Sequence, residues 1–119
     1  MNKLILPHQK PVRFASHVIS KEGDDKAVVQ NEFGEIPSLG MIIEAAAQST
    51  IAVALEEEIG RVGFLTTLKN IKLHNKPTSS ECQMHIELLN RISGVGHLSF
   101  EAKQNGVTIA TGGYVVVIR

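Results

Sequence analysis

Residues 39–59 constrain the fold of this chain more than any other segment. They read LGMIIEAAAQSTIAVALEEEI, and apolar side chains cover most of the circumference of a helix with this sequence. A helix that is apolar nearly all round is usually buried inside its domain. We therefore predict a long central helix here, with Ser38 as its N-cap and Gly60 just beyond its C-terminus.

Two polar side chains interrupt this apolar segment. Glu44 and Gln48 are four residues apart, about one helical turn, so both are expected to project from one helix face. A carboxylate in apolar surroundings is a candidate general acid or base. The alternative is a structural pair that lines a dimer seam or caps a neighbouring strand, and the spacing alone leaves both interpretations open.

Composition excludes several classes of protein. The 119 residues predict one domain, residues 1–119, with a modest core. A net charge of zero argues against non-specific nucleic-acid binding. The single cysteine, Cys82, cannot form an intramolecular disulfide, the histidines lack the spacing of a metal site, and neither a metal nor another cofactor is expected. Without a signal peptide or a membrane span, we predict a cytoplasmic protein with no membrane partner.

The remaining sequence reads mainly as β-strand. Residues 14–20 and 27–30 predict two short strands around a polar turn. Beyond Gly60, alternating apolar and polar residues predict four antiparallel strands, and Asn105-Gly106 is a strong hairpin signal. A curved sheet is needed to wrap the apolar helix. The predicted fold is therefore α+β, with a long central helix wrapped by a curved antiparallel sheet.

Four stretches, which together extend over nearly the whole chain, carry a resemblance to a known family: LPHQKPVRFASHVIS, IIEAAAQ, VGFLTTLKNIKLHNKPTSSECQMHIELL and GGYVVVI. They resemble the β-hydroxyacyl-acyl-carrier-protein dehydratases of the hot-dog superfamily, and IIEAAAQ corresponds to the helix motif Ile-Glu-Ala-Met-Ala-Gln of that family. The main family has a Gly-His-Phe-Pro-Gly loop before the helix, whereas residues 30–38 here are shorter and contain no histidine. The dehydratase-like proteins of aryl-polyene biosynthesis, with a short loop and a Leu-Pro-His start, are the closer resemblance.

This resemblance implies a hot-dog fold and the elimination of water from a 3-hydroxyacyl thioester held by an acyl-carrier protein, as in fatty-acid or polyene-type biosynthesis. One group must remove the proton alpha to the thioester carbonyl, and another must protonate the departing hydroxyl. Glu44 matches the helix carboxylate of the family. His8, the histidine of Leu6-Pro7-His8, is the candidate for the second catalytic group because the loop histidine is missing.

Five further residues are predicted to bind the substrate. Amides at the helix start would stabilise the developing enolate oxygen, and Gly40 allows its close approach. Gln48 is expected one turn deeper than Glu44 in a tunnel reached from a dimer interface. Lys76, with the nearby lysines, is expected to attract an acidic carrier surface or a phosphopantetheine phosphate. In chain order the five residues are Ser38, Leu39, Gly40, Gln48 and Lys76.

Two other functions fit the same residues. In a thioesterase, Glu44 would activate water, and Gln48 would position the water or the thioester. A non-catalytic acyl-binding or partner subunit would keep the fold without a loop histidine. In each case the thioester carrier is an acyl-carrier protein or coenzyme A. A homodimer or higher homo-oligomer is expected, because one helix in one curved sheet leaves a strand edge to protect.

Overall fold

The computed structural model describes residues 13–53 and 63–118, and within these ranges six strands form one antiparallel sheet that packs on one α-helix. The order across the sheet is β1-β2-β4-β5-β6-β3, and the helix α1 follows β2 in the chain. This arrangement confirms the predicted α+β architecture. The elements are β1 (Ala15–Glu22), β2 (Lys26–Glu32), α1 (Leu39–Ser49), β3 (Gly63–Leu73), β4 (Glu81–Ile92), β5 (Val95–Gln104) and β6 (Val107–Ile118).

Alternation along the strands separates the two faces of the sheet. In β4, Cys82, Met84 and Ile86 are buried, and the residues between them are only partly buried. The buried set shares one apolar core with Ile42 and Ala45 of α1, so this face of the sheet meets the helix and the other is its outer face. Full burial of one such large apolar side chain contributes about 1.5–3 kcal/mol to folding. The alternation of buried and partly buried strand residues thus determines which face of the sheet packs against the helix.

The start of α1 lies where the sequence predicts it. Ser38 has an extended backbone, with φ −77° and ψ 166°, and its Oγ accepts the Met41 amide at 3.2 Å. From there the helix packs on the sheet through one stripe with the spacing of a single helix face. This inward face consists of Ile42, Ala45, Ala46 and Ser49. The opposite, outward face consists of Gly40, Glu44 and Ala47, together with Ile51 of the turn that follows α1, and these residues are exposed or half-buried.

The predicted length of the helix is not confirmed. The α-helix ends at Ser49, and a 3₁₀ turn, Thr50–Val53, follows it. The hydroxyls of Ser49 and Thr50 donate to the carbonyl oxygens four residues earlier, at 2.7 and 3.2 Å. Such side-chain bonds compete with the backbone hydrogen bonds of the helix and often bend it. Residues 54–62, including the predicted stop at Gly60, lie outside the described residues.

Two tight turns join the last three strands. Asn105 and Gly106 have φ of 51° and 79°, and Ser93 and Gly94 have φ of 49° and 80°. Left-handed conformations at both central residues match the right-handed twist of the flanking strands. The hairpin predicted at Asn105-Gly106 is therefore confirmed, and Ser93-Gly94 makes an equivalent turn between β4 and β5.

One end of the sheet gathers the connections that surround the start of α1. The connection 33–38 leads from β2 into α1, and the connection 74–80 leads from β3 into β4. The Phe33 amide donates to the Ser80 carbonyl oxygen at 2.8 Å, which joins the two connections. We call this the helix-start end of the sheet. The turns of β1–β2 and β4–β5 lie at the opposite end.

Candidate active site

The start of α1 presents backbone amides in an open position. Ser38 accepts two of these amides: its Oγ accepts the Met41 amide, and its carbonyl oxygen accepts the Ile42 amide at 3.1 Å. The amides of Leu39 and Gly40 precede these and have no acceptor within the helix. A Cβ added to Gly40 would meet only the Ser38 hydroxyl, at 3.8 Å. This helix start suits a ligand oxygen that develops negative charge.

Glu44 lies on the outward face of α1, about 6 Å along the helix axis from Gly40. Its side chain is half-buried in the single chain, whereas the apolar sequence around it predicts a buried helix. The reason is that the sheet covers only the inward face of α1. The outward neighbours Ala47 and Ile51 are apolar and equally half-buried. The Glu44 side chain is therefore flanked by apolar residues on the helix and is partly accessible, as proton transfer to a bound ligand requires.

Gln48 has different surroundings from Glu44. Four residues advance a helix about 40° beyond one full turn, which carries Gln48 toward the sheet. It is only 3% exposed, and its Oε1 accepts the amides of Phe14 at 2.7 Å and Ala15 at 3.2 Å. The amide oxygen of Gln48 thus anchors the chain where it enters β1. The predicted contact of Gln48 with substrate stays a prediction.

Lys76 is exposed in the connection 74–80, at the helix-start end of the sheet. The beginning of this connection is tied to β6. The His74 amide donates to the Ile109 carbonyl oxygen at 2.6 Å, and Asn75 Nδ2 donates to the Thr108 carbonyl oxygen at 2.8 Å. The structure therefore brings Lys76 to the same end of the sheet as Ser38, Leu39 and Gly40.

A second buried glutamine, Gln104, holds the rest of that connection. Its Oε1 accepts the amides of Thr78 at 2.9 Å and Ser79 at 3.3 Å. Its Nε2 donates to the carbonyl oxygens of Ser79 at 2.7 Å and Glu81 at 2.9 Å. Gln104 is not among the residues predicted from the sequence. The alternation in β5 could have revealed it. Every second residue of this strand is buried from Leu98 onward, and Gln104 is a polar residue at one of these buried positions.

Buried polar groups also support the inward face of α1. The Tyr114 hydroxyl donates to the Ala46 carbonyl oxygen at 3.0 Å and lies 2.8 Å from Thr50 Oγ1. Burial raises the pKa of the Tyr114 phenol well above its usual range, so the group stays a neutral donor. Asn31 Nδ2 donates to Ser49 Oγ at 3.2 Å. These bonds fix the helix, and hence Glu44, relative to the sheet.

Other candidate groups lie away from this arrangement. An open hollow of about 480 Å³ lies on the outer face of the sheet, beside His85, Glu87 and Glu101, so it is separate from α1. Burial, with the Lys103 charge, lowers the pKa of His85. Burial also raises the pKa of the Cys82 thiol to about 12.

Three further observations bound the site. His8 lies outside the described residues, so its catalytic role stays a prediction. Across residues 13–53 and 63–118, no group of three or more His, Cys, Asp or Glu residues could hold a metal ion. In the same ranges, no helix has the length and apolar character needed to cross a membrane.

Comparison with known proteins gives matches in structure. No protein-family model and no curated protein matches the sequence. The dehydratase heterocomplex ApeI:P from Xenorhabdus doucetiae matches with a TM-score of 0.77 at 17% identity, over 96% of this chain and 88% of that chain. A hypothetical thioesterase protein with coenzyme A from Streptococcus pneumoniae TIGR4 matches with a TM-score of 0.65 at 11% identity, over 87% and 84%.

A third similar structure is the HP0420 homologue from Helicobacter felis, with a TM-score of 0.68 at 15% identity, over 98% of this chain and 85% of that chain. At identities this low, structural similarity establishes the fold and nothing finer. The chain therefore has the hot-dog fold, the fold of the dehydratases and thioesterases that it resembles.

Proposed function

We propose that this protein eliminates water from 3-hydroxyacyl thioesters. The observation that carries the proposal is the half-buried carboxylate of Glu44, about one helical turn beyond the open amides at the start of α1. In the reaction a base removes the proton on the carbon next to the thioester carbonyl. The C–O bond to the hydroxyl group then breaks, an acid protonates the departing oxygen, and water and a 2-enoyl thioester result.

The residues take complementary roles in this scheme. The amides of Leu39 and Gly40 bind the thioester carbonyl oxygen and stabilise the enolate that develops on it. Glu44 and His8 divide the two proton transfers, since one carboxyl group rarely serves both the carbon and the hydroxyl. The missing loop histidine of the main dehydratase family makes His8 the proposed partner of Glu44.

The charge distribution favours an acyl-carrier protein as the thioester carrier. Residues 63–80 contain no Asp or Glu but hold Lys69, Lys72 and Lys76, all of them exposed. Acidic partners are attracted to such a surface, and the attraction raises the rate of encounter. Coenzyme A, which also carries phosphates, is the alternative carrier.

We also propose that the protein is a homodimer or a higher homo-oligomer. β3 is an edge strand of the described sheet, and Phe64, Leu68 and Leu73 on it are 48%, 46% and 51% exposed. An open edge with apolar side chains is a surface that proteins normally cover. A second copy would also cover the outward face of α1. Light scattering at micromolar concentration tests this, and a monomer would contradict it.

Replacing Glu44 with Gln tests the catalytic proposal, because the substitution keeps the shape of the side chain and removes the proton-transfer group. We expect formation of the 2-enoyl product from a 3-hydroxyacyl-carrier thioester to fall by about 10²–10⁴-fold. His8→Ala is expected to lower the rate by about a hundredfold or more. Glu35→Gln is a matched control, since Glu35 is an exposed acid in the connection before α1. Wild-type turnover in Glu44→Gln would make Glu44 structural.

A thioesterase is the second candidate function, and the similarity to a thioesterase protein with coenzyme A favours it. In that reaction Glu44 would activate water against the thioester carbonyl. The product separates the two reactions, since elimination leaves the thioester intact whereas hydrolysis releases a free thiol. Inertness in both assays would favour a partner subunit, in keeping with the heterocomplex among the similar structures.

A further inference from the structure

We infer that Gln104 is a positioning residue that holds the connection 74–80 as a rigid docking element for an acidic, thioester-bearing carrier domain. This inference rests on the proposed function, because it names the surface by which the carrier-bound substrate would be recognised. It adds a residue and a mechanism that the charge of Lys76 alone does not provide.

The hydrogen bonds of Gln104 immobilise the second half of the connection. The side chain is 4% exposed, and its amide engages two backbone N–H groups and two backbone carbonyls of residues 78–81. A buried amide in a low-dielectric interior makes strong bonds, and any partner left unpaired is costly. The second half of the connection is therefore held from inside the protein, and the Ser79 hydroxyl adds a bond at the surface by accepting the Glu81 amide at 3.2 Å.

The first half of the connection is fixed from the other side. His74 and Asn75 bond to the backbone of β6, and His74 Nε2 also lies 2.7 Å from Thr111 Oγ1. Lys76 and Pro77 stand between the two anchored parts, and the ring of Pro77 restricts its own backbone. Lys76 thus extends from an ordered backbone, which lowers the entropy lost when a partner binds.

Charge is distributed unevenly around this element. The acid-free segment 63–80 ends beside Glu81, and Glu32 and Glu35 lie at the same end of the sheet, so these three carboxylates lie toward β2 and β4. The lysines lie toward β3, and the one carboxylate nearer to them, that of Glu101 on β5, accepts the Thr108 hydroxyl at 2.6 Å. An acidic domain would therefore approach over the β3 side. The Ser80–Phe33 hydrogen bond places the element beside the chain that leads into α1, so a flexible thioester arm would be directed to the helix start.

Binding measurements that need no turnover test this inference. The probe is an acidic acyl-carrier protein whose pantetheine arm carries an amide-linked 3-hydroxyacyl group, and the same acyl-pantetheine amide without carrier is the second probe. We expect Lys76→Ala to weaken carrier binding about fivefold or more and to reduce its salt dependence. We expect Gln104→Met to weaken carrier binding similarly, with a change under about twofold for the carrier-free probe.

Two controls sharpen the measurement. Lys26→Ala removes an exposed lysine at the opposite end of the sheet and is expected to leave carrier binding unchanged. Hydrogen exchange at the Thr78 and Ser79 amides is expected to accelerate in Gln104→Met. If Gln104→Met does not fold, Asn75→Ala removes an exposed anchor of the same connection and is expected to weaken carrier binding.

The outcomes distinguish this inference from the proposed function. Unchanged carrier affinity in Lys76→Ala, equal weakening by Lys26→Ala, or equal weakening of both probes by Gln104→Met would overturn the docking inference. Carrier binding that depends on Lys76 and Gln104 supports it even where no dehydration is detected, and in that case only the proposed reaction fails. Dehydration of a carrier thioester that is indifferent to both residues would keep the reaction and refute the docking element.

Discussion

The inward and outward faces of α1 contain similar small and apolar residues, yet their surroundings differ. Each of the four residues on the inward face is at most 1% exposed. On the outward face, Gly40 is exposed, and Glu44, Ala47 and Ile51 are half-buried. The single sheet covers one side of the helix only. An apolar helix face that the described part of the chain leaves partly open is typical of an interaction site, so we propose that the outward face contacts substrate and a second subunit.

The largest expected contrast between the two sides of the helix comes from the two polar positions. Gln48→Leu leaves the part-buried amide of Phe14 and the buried amide of Ala15 without their acceptor and is expected to lower the free energy of unfolding by about 2–4 kcal/mol. Glu44→Leu, on the half-buried outward face, is expected to lower it by under about 1 kcal/mol. Urea unfolding measures both. Equal losses would show that the outward face is as closed as the inward face.

Two adjacent alanines give a matched test of packing. Ala46→Leu forces extra atoms into a site that is 1% exposed, and we expect a loss of about 1–3 kcal/mol in the free energy of unfolding. The same change at half-buried Ala47 is expected to alter it by under about 0.5 kcal/mol. Instead it should shift the oligomeric state seen by light scattering, because Ala47 lies on the proposed seam. Destabilisation of the same size at both positions contradicts the comparison.

The smallest expected effect concerns a single hydroxyl beneath the inward face. Tyr114→Phe removes the donor to the Ala46 carbonyl oxygen, which still accepts a hydrogen bond from Thr50 at 3.2 Å. We therefore expect a loss of only about 1 kcal/mol in the free energy of unfolding, with the fold retained. Thermal unfolding monitored by circular dichroism measures it. A neutral substitution would mean that the Tyr114 hydroxyl contributes nothing measurable to holding the helix end on the sheet.

The fold could be predicted further than the site. Alternation in the strands, the hairpin at Asn105-Gly106 and the N-cap at Ser38 are local signals, and the structure confirms all three. The end of the α-helix was not predicted, because the competing bonds of Ser49 and Thr50 do not interrupt the apolar pattern. Of the candidate site, Glu44 and the helix start could be chosen from residue type and position. Gln48 is buried whereas Glu44 is half-buried, and this difference depends on how the start of β1 packs against the helix.

The sequence by itself determined the periodicities of the chain: one apolar helix, alternating strands, a capped helix start and an acid-free basic segment at 63–80. Such patterns are local, so they can be recognised without knowing which residues come into contact in the folded protein. Only the tertiary structure decided which helix face the sheet covers, which strands form its edges and which connections meet. These outcomes depend on the register of strands distant in sequence. That register brings Lys76 to the same end of the sheet as the start of α1 and brings Gln104 against residues 78–81, and no local pattern encodes either relation.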